Sequence, residues 1–218
     1  MRFASTIGLT AALLLGLAPP AAGQDLDAAC EAIAGSSIGA WTEHAIESPN
    51  GAFDVTFALV ESRGATWYEV RSQTSAGRSI LQLRVPGFPF TPDEIEEVVT
   101  KTGASPAVRL PDSMVRQYAS AEQGGPLGDI RAHCREAQVV GMEEVTVPAG
   151  TFVATHLRFP ASGGDVWVSD AVPFGIVKGR LPGQGDVELR AHGTDATASI
   201  TETPISMGEG GASTDAGQ

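Results

Sequence analysis

The sequence predicts a mainly-β (α+β) fold: one curled antiparallel sheet of about ten strands, with two or three short helices packed on its concave face. Three observations predict it. Hydrophobic residues recur with period two through most of the chain beyond residue 38. The elements run strands, then helices, then strands again, with no linker or internal repeat between them. Most strands carry one apolar and one polar face, as expected of a single sheet with a wet outer side. Ten such strands present more apolar surface than three short helices cover. Either the sheet curls tightly enough to fill itself, or a cavity remains beneath the helices.

Residues 1–23 (MRFASTIGLTAALLLGLAPPAAG) read as a secretory signal peptide. Arg2 supplies the positive start, Ile7 to Ala18 an uncharged run of 12 residues, and Pro19-Pro20 with small residues a cleavage region. The run is too short for a membrane anchor, which needs about 20 apolar residues. The expected compartment is the periplasm or the exterior, with residues 24–203 as one domain. In that compartment Cys30 and Cys134 are expected to bond to each other; the competing arrangement is two free, buried thiols.

A helix is expected over 25–35, from the spacing of Leu26, Cys30 and Ile33 and the stop at Gly35. Strands are expected over 39–48, 53–60, 65–74 and 79–85, joined at Asn50-Gly51, Arg63-Gly64 and Ser75-Ala76-Gly77. Thr91-Pro92-Asp93-Glu94 has the form of a capping box and predicts a second helix ending at Gly103, with Ile95, Val98 and Val99 as its stripe. A third helix is expected over 112–121, capped by Asp112, with Met114, Val115 and Tyr118 inward. Strands then resume over 134–140, 142–147, 151–159, 165–170, 174–180 and 186–192, with a weaker one over 196–201. Residues 204–218 lack periodicity and large apolar side chains, and read as a disordered tail.

Charge narrows the partners. The 218 residues hold 14 Lys+Arg against 26 Asp+Glu, a net charge of −12, and losing Arg2 with the signal takes it to −13. No basic footprint exists for nucleic acid or anionic lipid. The expected protein is a monomer without a transmembrane anchor once the signal is removed.

No motif specifies a chemistry. Gly35-Ser36-Ser37-Ile38-Gly39 matches the hydrolase pattern around Ser37, but that motif needs a strand before the turn and a helix after it. Here the order is reversed. His44, His133, His156 and His192 lack metal-ligand spacing and are expected on polar strand faces or strand ends. Glu96-Glu97, Glu143-Glu144, Asp165 and Asp170 read as an acidic surface, and Gly183-Gln184-Gly185-Asp186 as a turn rather than a phosphate loop. No catalytic residue, metal or cofactor is expected.

Residues 145–159 (VTVPAGTFVATHLRF) and 166–180 (VWVSDAVPFGIVKGR) resemble a signature of exported bacterial proteins of unassigned function, which are similar to the lipoprotein-carrier (LolA/LolB-like) superfamily. The segment 186–200 matches the way such proteins end. The resemblance implies an open half-barrel with helices inside its concave face, and by analogy of fold an acyl-binding role. It transfers no catalytic or ligand residue.

Two functions are expected from these features. The first is a non-enzymatic binding or carrier protein for a lipid, an acyl chain, an acylated protein or another apolar ligand. Its cavity would be lined by Phe57, Leu59, Tyr68, Val70, Leu83, Val153, Leu157 and Val168, with Val98 and Met114 on the helices as lid. The alternative is a cell-envelope interaction module with a filled core. A hydrolase is the weakest reading.

Overall fold

In the computed structural model the described residues are 22–49, 51–74, 77–122, 134–183 and 185–207. Residues 1–21 of the expected signal peptide 1–23, His133 and the expected tail from 208 onward lie outside them. Helix α1 spans Ala22–Ala34. Strands β1 Trp41–Ser48, β2 Gly51–Ser62, β3 Ala65–Thr74 and β4 Gly77–Arg84 form the expected antiparallel meander. The turn between β2 and β3 puts Arg63 at φ 52° and Gly64 at φ 70°, the double left-handed pair of a tight hairpin.

The rest of the sheet comprises β5 Glu97–Thr102, β6 Val108–Arg109, β7 Gln138–Val147, β8 Gly150–Phe159, β9 Gly164–Val168, β10 Ile176–Leu181, β11 Gly185–Gly193 and β12 Ile205–Ser206. With helix α2, Asp112–Glu122, these complete an open, curled sheet of 12 strands in the order β12-β6-β5-β4-β3-β2-β1-β11-β10-β9-β8-β7. All pairings are antiparallel except β12 with β6. The first strand in the chain is therefore a central strand of the sheet, pairing with β2 on one side and β11 on the other.

Register shows how the apolar stripes join. Directly opposed residues share a face of the sheet. The pairs Leu157–Val166, Val166–Gly179, Gly179–Val187, Val187–Ile46 and Ile46–Phe53 carry one face across six strands. On the same face, Phe57 opposes Thr42 and Val70, and Val70 opposes Leu81. Both helices lie against this inner face. Val115 of α2 packs with Leu59, Tyr68, Leu83 and Val98, and Cys30 and Ile33 of α1 pack with Leu157 and Val168. The disulfide Cys30–Cys134 forms as expected, across a sequence separation of 104. Closing so long a loop stabilises the fold by roughly 4–5 kcal/mol in the chain-entropy account.

Several expectations are corrected. The helix expected from Thr91 to Gly103 is a single 3-10 turn, Pro92–Glu94, succeeded by β5. The capping box is present, with the Thr91 backbone N–H donating to Glu94 Oε2 at 2.7 Å. The β-branched run Val98-Val99-Thr100 then draws the chain into a strand, because such side chains favour extended backbone. Val98 faces inward and Val99 outward, both wholly buried, so two-sided burial imitates a helical stripe. The strands expected over 134–140 and 142–147 are one strand, β7, with a bulge between Val139 and Gly141. Cys134 and Arg135 lie in a helical turn before it. The segment 169–175 is a loop, so β10 starts at Ile176. Residues 196–201 form no ladder, and Ile205–Ser206 of the expected tail pairs with β6.

The outer face is not the wet surface expected. Residues 194–201 cross it, anchored by the Ala196 N–H to Gly39 O (2.8 Å) and by the Trp41 indole to Asp195 Oδ1 (2.8 Å). Beneath them Ala58, Val60, Trp67, Val99 and Ile200 form a second core. Gly39, at φ 93°, lies where a Cβ would come 2.4 Å from Thr194 O, so only glycine fits the crossing. At the other end of the sheet, Val145 and Val147 of β7 pack with Trp167, Val177 and Leu189.

Candidate ligand cavity on the inner face

Between the sheet and the two helices lies a cavity of about 670 Å³, within the range of small-molecule sites. Its wall comes from β1 (Thr42, His44, Ile46), β2 (Phe53, Phe57) and β3 (Tyr68, Val70), and continues through Val166, Gly179 and Val187. Ile33 of α1, Tyr118 of α2, Phe88 and Phe174 close over it. Gly179 presents no side chain and so leaves room beside Val166 and Val187. None of the described lining residues is Asp, Glu, Lys or Arg.

An aromatic cluster shapes one end. Tyr68 stacks on Phe57 (6.2 Å) and on Phe88 (5.6 Å), and Phe174 meets Phe88 edge-on at 4.9 Å. Phe174 sits at φ 59°, uncommon for a bulky residue, and its backbone N–H donates to Ser36 Oγ at 2.9 Å. The adjoining Gly175 (φ 74°) approaches α1 so closely that a Cβ would lie 2.9 Å from Ala32 C. The loop carrying Phe174 is thus pinned to the end of α1. Burial pushes the Tyr68 phenol up, so it stays protonated.

Two of the polar side chains in this wall, Thr42 and His44, are buried. Thr42 is wholly buried and His44 is 2% exposed. His44 Nε2 lies 3.0 Å from Ile176 O. A carbonyl only accepts, so Nε2 carries the proton and Nδ1 is left as an acceptor. Among the described residues, neither Thr42 Oγ1 nor His44 Nδ1 has a hydrogen-bond partner. Burial lowers the His44 pKa, favouring the neutral ring, while the hydrogen bond to Ile176 acts in the opposite sense.

The expected lining residues divide. Phe57, Tyr68 and Val70 line the cavity. Leu59, Leu83 and Val98 are consumed in packing against α2 and the 85–95 segment, and Leu157 and Val168 in packing against α1. Val98 is on a strand rather than a helix. Val153 is 60% exposed and Met114 42% exposed. Val153 lies past the end of the helical cover, and the buried residue of α2 is Val115, about 100° around the helix from Met114. Thr42 and His44 escape a reading of the sequence because polar residues on an alternating strand look like its solvent face; His44 is a correction to the expectation that every histidine lies on a polar face or strand end.

The other candidates form no competing site. Ser37 sits in the turn between α1 and β1, where its carbonyl accepts the Ala40 N–H at 3.0 Å. On the outer face His156 stacks on Trp167 (4.4 Å) and bonds Asp165 Oδ1 through Nε2 at 2.7 Å. Arg158 reaches the same oxygen at 2.9 Å, and the Trp167 indole donates to Glu143. The His156 hydrogen bond, then Arg158, hold Asp165 below its ordinary value. Among the described residues no three His, Cys, Asp or Glu side chains gather as metal ligands, and no helix is long and apolar enough to cross a membrane.

Fold and cavity together define a mainly-β protein with an open curled sheet and a partly enclosed apolar chamber on its helix-covered face. No protein-family model matches the chain, and no curated protein matches it. Among solved structures, the chain is similar to MucB in its complex with periplasmic MucA, at 15% identity and a TM-score of 0.46, covering 84% of this chain and 59% of that one. It is also similar to the MucA/MucB complex of Pseudomonas aeruginosa, at 15% identity and 0.43, covering 82% and 58%. A putative exported protein of Bacteroides fragilis with a YmcC-like fold matches at 12% identity and 0.31, covering 72% and 97%. The chain spans less than two thirds of the MucB chains.

Proposed function

We propose that this is an exported, non-enzymatic binding protein that holds an apolar ligand, such as an acyl chain, in the inner-face cavity. The observation that carries the reading is the cavity itself: about 670 Å³, walled by aromatic and aliphatic side chains. A protein interior ordinarily closes such space. Here, rings from β2, β3 and two connecting segments surround it. At the ~30 Å³ that a water takes in the liquid, the volume accommodates on the order of twenty heavy atoms, which is the scale of a single alkyl chain. The signal peptide read in the sequence supports an export route.

Native mass spectrometry of the protein purified from its own host, with organic extraction, tests this. A bound species lost on extraction is the expected result. Protein that is ligand-free from its host, and that fails to enhance the fluorescence of an apolar dye, sinks the reading.

A second reading is a module that binds another protein through a sheet edge. It draws on β7, an outermost strand on which Val140 is 53% and Met142 62% exposed. Crosslinking in the host envelope tests it, and a partner captured through β7 favours it.

A further inference from the structure

We infer that the Tyr68 phenol is the polar anchor of the chamber and donates a hydrogen bond to the carbonyl oxygen of a neutral ligand, a ketone or an ester. This assignment rests on the apolar-ligand reading and gives the chemistry of the ligand's polar group.

Tyr68 lies on the inner face of β3, opposite Leu59 and Leu83, and lines the chamber. Its ring is held on several sides. Phe57 and Phe88 stack against it, and Phe90 and Phe174 meet it edge-on at 5.3 and 6.1 Å. The residue as a whole is 4% exposed. Its hydroxyl bonds to no described residue, and unlike Thr42 Oγ1 and His44 Nδ1 it is not sealed within the packing. The space it meets is the chamber. A fixed donor thus faces an apolar volume without a protein acceptor among the described residues. Leaving a buried donor unpaired costs about 1–3 kcal/mol, and burial keeps this phenol protonated.

A phenol is a stronger donor than acceptor, because its oxygen lone pair is shared with the ring. The partner it calls for is an acceptor. A ketone or ester carbonyl supplies one without bringing a proton that the surrounding phenylalanine rings would leave unpaired. A carboxylate also accepts, but none of the described lining residues is Lys or Arg, so its charge would be buried without a counterion. An alkane leaves the phenol unpaired.

Displacement of phenylnaphthylamine fluorescence tests the assignment on the chain expressed with its own leader. The competitors are methyl octyl ketone, the alkene in which a methylidene group replaces its oxygen, and decanoate at a pH where it is ionised. Each is titrated against the wild type and Tyr68→Phe, which keeps the ring. The ratio of ketone to alkene affinity is expected to fall about fivefold in the variant. Decanoate is expected to bind the wild type more weakly than the ketone. In the infrared, the carbonyl stretch of the ketone bound to wild type is expected at lower frequency than in alkane solution. If the dye binds but the affinity ratio is unchanged, the anchor is overturned and the cavity reading stands. A bound carbonyl stretch equal to that in alkane overturns it on the wild type alone, and decanoate outcompeting the ketone overturns the preference for a neutral ligand. If the dye does not bind at all, the cavity reading falls and the anchor with it.

Discussion

The Glu69 carboxylate, wholly buried on the outer face of β3, accepts the backbone N–H of Ser199 at 3.0 Å from a segment 130 residues further along the chain. The same oxygen accepts from Gln82 Nε2 at 2.7 Å, and Arg71 Nε lies 3.4 Å from its neighbour. Arg63 completes the network, donating to Gln82 Oε1 (2.9 Å) and Ile200 O (3.0 Å) while lying 4.2 Å over the Trp67 ring. This network fastens residues 194–201 over the second core. Replacing Glu69 by leucine strands the Gln82 and Ser199 donors, removes the charge beside Arg71, and is expected to cost about 3 kcal/mol. Glu69→Gln keeps an acceptor oxygen and is expected to cost clearly less. Urea unfolding of both variants checks the order; equal losses refute the hydrogen-bond account.

The disulfide ties α1 to the chain before β7. Reducing Cys30–Cys134, or replacing both by serine, is expected to remove about 2–5 kcal/mol. The wild type should show a lower urea midpoint with reductant, and the double variant should show no further response to it.

Val153 and Leu157 lie four residues apart on the same face of β8, yet one is 60% exposed and the other fully buried. Leu157→Ala is expected to cost about 2–5 kcal/mol, because it empties a site packed against α1. Val153→Ala is expected to stay within about 0.5 kcal/mol of wild type. Thermal unfolding of the pair shows where the helical cover ends.

Burial sets the pH response of His44. Its folded pKa lies below 6.5, so between the two values the unfolded chain binds more protons than the folded one. Stability contributed by the neutral ring is therefore present above about pH 6.5 and declines as pH falls toward the lowered folded value. The His44 C2–H resonance should titrate below 6.5, and His44→Gln should flatten the acid side of the stability profile. A midpoint at or above 6.5 contradicts the buried placement.

The meander is legible because the turns before Gly51 and at Arg63-Gly64 set the register of β1–β3 locally. The first of these turns carries more than the alternation of β1 suggests. Ser48 pairs with Gly51, which forces Ile46 opposite Phe53, His44 opposite Val55 and Thr42 opposite Phe57. Counting outward from the turn places His44 on the apolar face, although its polarity argues for solvent. The features that local pattern hides arise from burial on both faces. Val98-Val99 imitates a helical stripe because each residue meets a different core. The segment 196–201 imitates a strand because Ile200 is buried against Trp67, while its backbone bonds to Gly39 O and to the Glu69 and Arg63 side chains instead of a ladder. Val153 and Met114 keep to the correct stripes, but whether a cover reaches them depends on tertiary arrangement alone.

The central position of β1 has a consequence for assembly. A chain synthesised from its N-terminus delivers β1 early, and the hairpins through β4 close from neighbouring residues. The other edge of β1 has to wait for β11, which emerges near the end. Until then the nascent sheet exposes an unpaired strand in the middle of its final structure, on the side where His44 and Ile46 lie. The cavity wall is thus completed only by a long-range pairing, which makes its closure a late event in folding.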